Sequence, residues 1–144
     1  LSKSFGISIF FLLAVAGCQM PSGEGIFGAL YHPTLQNPEI PSGKPSAVYF
    51  FTDWCPYCKR MEKNTFSDPR VTAALEPYRK IRVDMTDTRS AETRSHASHF
   101  GITSFPAVLF FDSRGREIPG FRIVGYVSAA QFLDTLEKLE KYPA

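Results

Sequence analysis

The run "AVYFFTDWCPYCKRMEKN", residues 47–64, constrains the fold more than any other part of the chain. Ala47 to Thr52 is short, apolar and rich in β-branched and aromatic side chains, the pattern of a buried strand. The stretch from Pro56 to Asn64 reads as a helix, and Cys55 and Cys58 flank its start. A pair at this spacing lies within one helical turn, near enough to close a disulfide. The leading sulfur faces the positive end of the helix dipole, which favours the thiolate, the nucleophilic form.

Three chemistries fit such a pair. A structural staple is natural in an oxidising compartment, but a bridge closing so small a loop restricts the unfolded chain little. A zinc site needs more ligands, and outside the pair the chain offers His32, His96 and His99. A set of Cys55, Cys58, His96 and His99 has a spacing far from that of a compact finger, and its histidines fall on a polar helical pattern. The third is a working redox pair, with Cys55 as the attacking thiol and Cys58, one turn further in, as the resolving one.

The rest of the chain alternates strand and helix. Asp68 offers an N-cap with Pro69 at the first helical position, and Val71, Ala74, Leu75 and Tyr78 share one face of a short helix closed near Pro77. "KIRVDM" (80–85) is a second strand, and residues 89–100 form a polar helix ending at Gly101. "PAVLFF" (106–111) is a third strand, joined through "DSRG" to a fourth over 121–124. Ser128 and Gln131 make a capping box for a last helix whose apolar face carries Phe132, Leu133, Leu136 and Leu139. The order β-α-α-β-α-β-β-α predicts an α/β domain over 46–144 with a mixed sheet of about four strands flanked by helices.

The first 17 residues stand apart. An apolar run from Phe5 to Ala16 after Lys3 reads as a secretory signal, shorter than the roughly 20 residues a spanning helix needs. "VAGC" (15–18) resembles the lipobox of bacterial lipoprotein precursors, which implies lipid on Cys18 and accounts for the odd cysteine among three. Gln19 follows instead of an inner-membrane retention aspartate, so the resemblance favours the periplasmic leaflet of the outer membrane. Residues 18–45, rich in proline and glycine without sustained period, read as a tether or irregular extension. At 144 residues and 44% apolar content, the chain suits one globular domain. A net charge of +2 without a basic block excludes the electrostatic footprint of a nucleic-acid binder.

Strand, Trp-Cys-x-x-Cys, helix, and a later strand opening with proline resemble the thioredoxin superfamily over residues 46–141. "DWCPYCKRMEKNTFSDPRV", "VDMT", "FPAVLFFDSRGRE" and "RIVGY" look most like the C-terminal periplasmic domain of the reductase DsbD. The resemblance implies a thiol:disulfide oxidoreductase without cofactor or metal, acting on protein disulfides and recharged by a membrane electron donor of the DsbD or CcdA type. It implies a cis Phe105-Pro106 bond facing the sulfurs and a substrate surface of Trp54, Pro56, Tyr57, Phe105 and Pro106. Glu62 matches a glutamate that sits near the buried cysteine in that domain, where a carboxylate could relay the proton Cys58 must lose; the alternative is a surface glutamate among Lys59, Arg60 and Lys63. Tyr49 departs from the family, which usually has a buried aspartate there. Electron flow in the opposite sense, as a disulfide oxidase or isomerase, and a metal-binding chaperone remain the rival functions.

Overall fold

The computed structural model describes residues 26–27 and 39–142. The expected leader and Cys18 lie outside the described residues. The elements are β1 (Ser46–Phe51), α1 (Pro56–Asn64), α2 (Pro69–Ala74), β2 (Arg79–Asp84), α3 (Ala91–Phe100), β3 (Ala107–Phe111), β4 (Ile123–Val124) and α4 (Ala129–Glu140). Their order is the expected one, and among the described residues they form a four-stranded mixed sheet, β2-β1-β3-β4. β1 runs parallel to β2 and antiparallel to β3, and β3 is antiparallel to β4.

Alternation along the strands sorts the core into two layers. Ala47, Tyr49, Phe51, Val108 and Phe110 point to the face covered by α1, α2 and α4, where they meet Met61, Val71, Leu75, Phe132 and Leu136. Val48, Phe50, Ile81, Val83 and Leu109 point to the other face, with Phe100 of α3 and Met85. β1 is therefore buried throughout, as a central strand must be.

Several element ends differ from the sequence reading, each for a local reason. The β1–β2 ladder runs from Ser46↔Arg79 to Phe51↔Asp84, one residue earlier than expected at each end. β3 begins at Ala107 because Pro106 has no N–H to give the ladder. Its carbonyl accepts instead from Gly125 N at 2.8 Å. α2 stops at Ala74 with Leu75 as C-cap, since Pro77 disfavours helical geometry at Glu76. α3 starts at Ala91, where the Ser90 hydroxyl accepts from Thr93 N at 3.0 Å. β4 shrinks to two residues, and Phe121 packs on Tyr142 with ring centroids 5.3 Å apart.

Packing also takes in residues ahead of Ser46. Ile40 is buried in the second layer, Gly43 N donates to Ser113 O at 2.7 Å, and Arg79 Nη1 donates to Pro41 O at 2.8 Å. Gly115 has φ +77, and a Cβ there would lie 2.5 Å from Ile40 O, so only glycine fits the close approach. Phe27 is buried, with its ring centroid 4.7 Å from that of Phe66 and 5.4 Å from that of Tyr49. Truncating a buried phenylalanine costs about 3 kcal/mol or more. Phe27→Ala should lower the urea midpoint accordingly; an unchanged midpoint would show that Phe27 contributes nothing to the domain's core.

Candidate active site

The site forms where β1 ends. After Phe51 the chain turns through Thr52, Asp53 and Trp54 into α1, and Cys55 N donates to Thr52 O at 3.3 Å. Cys55 is the N-cap of α1, and its sulfur accepts the Cys58 N–H at 3.3 Å. This first-turn N–H has no intrahelical partner, so the sulfur takes the place an N-cap oxygen usually fills. Pro56 occupies the first turn without loss, because its missing N–H would have been unpaired there.

Both cysteines are free thiols. Cys55 is 4% exposed and Cys58 1%, so the leading sulfur is the more open by a small margin. Burial pushes the Cys58 thiol up to about 12, and the adjacent Cys55 sulfur adds to this; the Thr52 backbone and the Tyr49 hydroxyl pull it back down. Cys58 is thus a protonated thiol at neutral pH in this arrangement. Tyr49 lies beneath it, 1% exposed, with its own pKa raised chiefly by burial, so its phenol stays protonated. That hydroxyl donates to Cys58 O at the long distance of 3.5 Å.

Glu62 is half-buried one turn beyond Cys58. Its Oε1 lies 2.8 Å from Arg82 Nη2 of β2, and the guanidinium carbon sits 4.1 Å above the Phe51 ring. The carboxylate is therefore paired with Arg82 rather than with the exposed Lys59, Arg60 or Lys63 named as its surface neighbours. An open cavity of about 690 Å³ runs along this side of α1, lined in part by Tyr49, Glu62, Lys59 and Arg82.

The opposite rim is aromatic. Trp54 and Tyr57 are each 57% exposed, and Pro56 is exposed between them in sequence. Trp54 packs edge-on against Phe105 at 6.2 Å, and its indole N–H donates to Thr86 O at 3.1 Å. Phe105 is half-buried, Pro106 is buried, and their peptide bond is cis. Because Phe50 pairs with Ala107, the Phe105-Pro106 segment stands at the same end of the sheet as the cysteine loop.

The structure thus gathers Trp54, Cys55, Pro56, Tyr57, Cys58, Phe105 and Pro106 at one end of the sheet. It does not gather the zinc alternative. His96 and Phe100 belong to α3, which packs on the second layer, whereas both cysteines belong to the first. Among the described residues no group of three or more metal-ligating side chains occurs. Two contributors escaped the sequence reading. Arg82 alternates with the buried Ile81 and Val83 in β2, which turns it to the Glu62 side of the sheet. Thr86, whose hydroxyl accepts from Asp53 N at 2.9 Å, closes the loop that carries Trp54.

A model of the thioredoxin-like domain matches residues 40–140. The chain belongs to the thioredoxin superfamily. Over 97 residues it is 40% identical to the thiol:disulfide interchange protein DsbD of Tatumella citrea and, over the same length, to that of Haemophilus ducreyi. Each match takes in 67% of this chain and only 17% of the relative's length. The oxidised C-terminal domain of Neisseria meningitidis DsbD aligns with a TM-score of 0.56 at 27% identity, over 69% of this chain and 81% of that one. A Thermus thermophilus thioredoxin aligns with a TM-score of 0.55 at 26% identity, over 67% and 74% of the two chains.

In this thioredoxin-like site the two thiols should react unequally. A thiol held near pKa 12 is almost wholly protonated at pH 8 and is the less exposed of the two. Brief alkylation of the reduced protein at pH 8, mapped by mass, should label Cys55 well ahead of Cys58. Preferential labelling of Cys58 would reverse their roles.

Proposed function

We propose that the chain is a periplasmic thiol:disulfide oxidoreductase that reduces protein disulfides through Cys55 and Cys58. The observation that carries this reading is the placing of Cys55 as the sulfur N-cap of α1, beside a buried Cys58 and an exposed aromatic rim. The Cys55 thiolate attacks one sulfur of a substrate disulfide, forming a Cys55–substrate bond and releasing the other substrate sulfur as a thiolate. Cys58, once deprotonated, attacks Cys55 Sγ; the Cys55–Cys58 bond forms, the second substrate sulfur leaves, and both released thiolates take protons from water. The protein loses two electrons and the substrate gains them.

The reductive direction is supported by the likeness to DsbD. It requires a donor that returns two electrons to the Cys55–Cys58 disulfide, and a membrane reductase of the DsbD or CcdA type has that chemistry. Among the described residues no helix is long and apolar enough to cross a membrane. We place the chain at the outer membrane through lipid on Cys18, with the stretch between Cys18 and the packed Phe27 as its tether.

Two experiments test this. The Cys55–Cys58 couple, equilibrated against glutathione, should have a potential nearer the roughly −270 mV of thioredoxin than the roughly −120 mV of a strong oxidant. The Cys58→Ala variant should retain substrate proteins as mixed disulfides on Cys55; a potential near the oxidising value would reverse the direction, and no trapped protein would remove the substrate class. For the anchor, Cys18→Ala should release the processed protein from membranes, because one or more acyl chains supply the binding. Continued attachment of processed Cys18→Ala protein would overturn lipidation.

A further inference from the structure

Resting on the redox reading of the cysteine pair, we propose that Arg60 sets a substrate preference: its guanidinium, laid over the Tyr126 ring, takes a carboxylate of the chain that carries the disulfide. Protein disulfides with an acidic residue close to the cysteine are then reduced fastest. Two bridges join the cysteine helix and its leading loop to the segments around Pro106. Trp54, just before Cys55, packs on Phe105. Arg60, in the second turn of α1, stacks on Tyr126 with the guanidinium carbon 4.3 Å from the ring centroid. The residues on either side of Tyr126 are fixed in turn: Gly125 N donates to Pro106 O at 2.8 Å, and the hydroxyl of Thr65, the C-cap of α1, donates to Val127 O at 2.6 Å. Arg60 is thus held between the helix that carries Cys58 and the loop that braces the cis proline.

The stack orders the guanidinium without using its donors. A cation over an aromatic face is attracted to the ring, and the planar guanidinium keeps its N–H edges available in that position. Arg70, Arg82, Arg116 and Arg122 are each closed by a carboxylate, on Asp68, Glu62, Asp112 and Glu117. Among the described residues Arg60 has the Tyr126 ring and no such carboxylate. Its surroundings add to the attraction for an anion. Lys59 and Lys63 accompany it on the exposed side of α1, and the one carboxylate of that helix, Glu62, is taken by Arg82. Asp53 belongs to the Trp54 side, where its N–H is bonded to the Thr86 hydroxyl. At about 1.5 Å per residue, the Arg60 backbone lies about 7.5 Å further along the helix axis than Cys55. An extended polypeptide covers that distance in about two or three residues. A carboxylate so placed from the substrate cysteine reaches the fork and accepts paired N–H donors from it while Cys55 meets the disulfide.

The probes are two short single-cysteine peptides, each as its symmetrical disulfide. One carries glutamate at the second and third positions on either side of the cysteine, and the other carries glutamine there. In a single turnover the reduced protein converts one peptide disulfide into two peptide thiols while Cys55 and Cys58 join, and the thiols are quantified after an acid quench. Each rate is divided by that of dithiothreitol on the same peptide, which removes the effect of the glutamates on the disulfide itself. At low salt the wild type should prefer the glutamate peptide about threefold, the size of an exposed charge-assisted contact. Arg60→Gln should remove that preference. Because the ratio is taken within each protein, it does not depend on how much of the variant is folded. Should Arg60→Gln fail to fold altogether, Arg60→Lys, which keeps the charge and loses the flat fork, should lower the ratio, and an unchanged ratio would overturn the proposal. Equal rates on the two peptides in the wild type would overturn it, and so would a preference that survives Arg60→Gln, by assigning the carboxylate to Lys59 and Lys63. A wild type that reduces neither peptide would instead overturn the redox reading, and this preference with it.

Discussion

A strand buried on both faces has to be apolar along its whole length, yet its last residue must hand the chain to solvent, and β1 meets both demands. Its neighbours β2 and β3 satisfy its backbone on either side, while α1, α2 and α4 on one face and α3 on the other cover its side chains. The cysteine loop is the exit from that strand. The position of Cys55 is consequently set by the register Phe50↔Ala107 and Phe51↔Asp84, which also fixes the Phe105-Pro106 segment and the Thr86 loop at the same end. Three loops far apart in sequence converge because two leave β1 and β2 and the third enters the antiparallel β3 at the same end, and Trp54 of the first ties it to the other two through Phe105 and Thr86.

The same strand supplies the asymmetry between the two sulfurs. Cys55 caps the helix, where partner groups are backbone N–H donors; Cys58 is one turn inside, against the first core layer, where desolvation dominates. A buried thiol with no donors would make a poor nucleophile under neutral conditions. The Tyr49 phenol of β1 and the Thr52 backbone just past its end both lower the cost of ionising Cys58. Arg82, from the adjacent parallel strand, holds Glu62 away from being a bare charge beside these groups.

Much of this was legible in the sequence, and the remainder had a physical reason for being hidden. Helix α1 over Pro56–Asn64 and the capping box at Ser128 and Gln131 were readable because caps and prolines act locally. The two-residue β4 was not, since strand length depends on what pairs across it, and only Ile123 and Val124 find partners in β3. Within the site, the cysteines and the aromatic rim were visible as a motif. The Glu62–Arg82 pair was not, because it joins residues 20 apart through the packing of α1 on the β1–β2 edge. Tyr49 was visible only as a departure from the family pattern; its bond to Cys58 depends on ring positions set by Phe51, Phe66 and Phe27.

The distribution of exposed apolar surface bears on what the proposed reaction can accept. Among the described residues, Trp54, Tyr57, Val124 and Tyr142 are the exposed large hydrophobics. Tyr142 is engaged by Phe121, and Val124 pairs with Ala107 of the second layer, which leaves Trp54 and Tyr57 beside the cysteines. Single exposed apolar side chains are ordinary on a protein surface; a group of them bordering a reactive thiol gives an incoming chain area to bury. Cys55 itself is only 4% exposed, so a disulfide must be brought down to it between Trp54 and the Phe105-Pro106 segment. A small disulfide gains little from that rim, whereas a polypeptide that covers Trp54 and Tyr57 gains apolar contact while it presents its own sulfur. In the proposed reaction, the geometry that hides Cys55 would thus also let binding along a protein chain select the substrate.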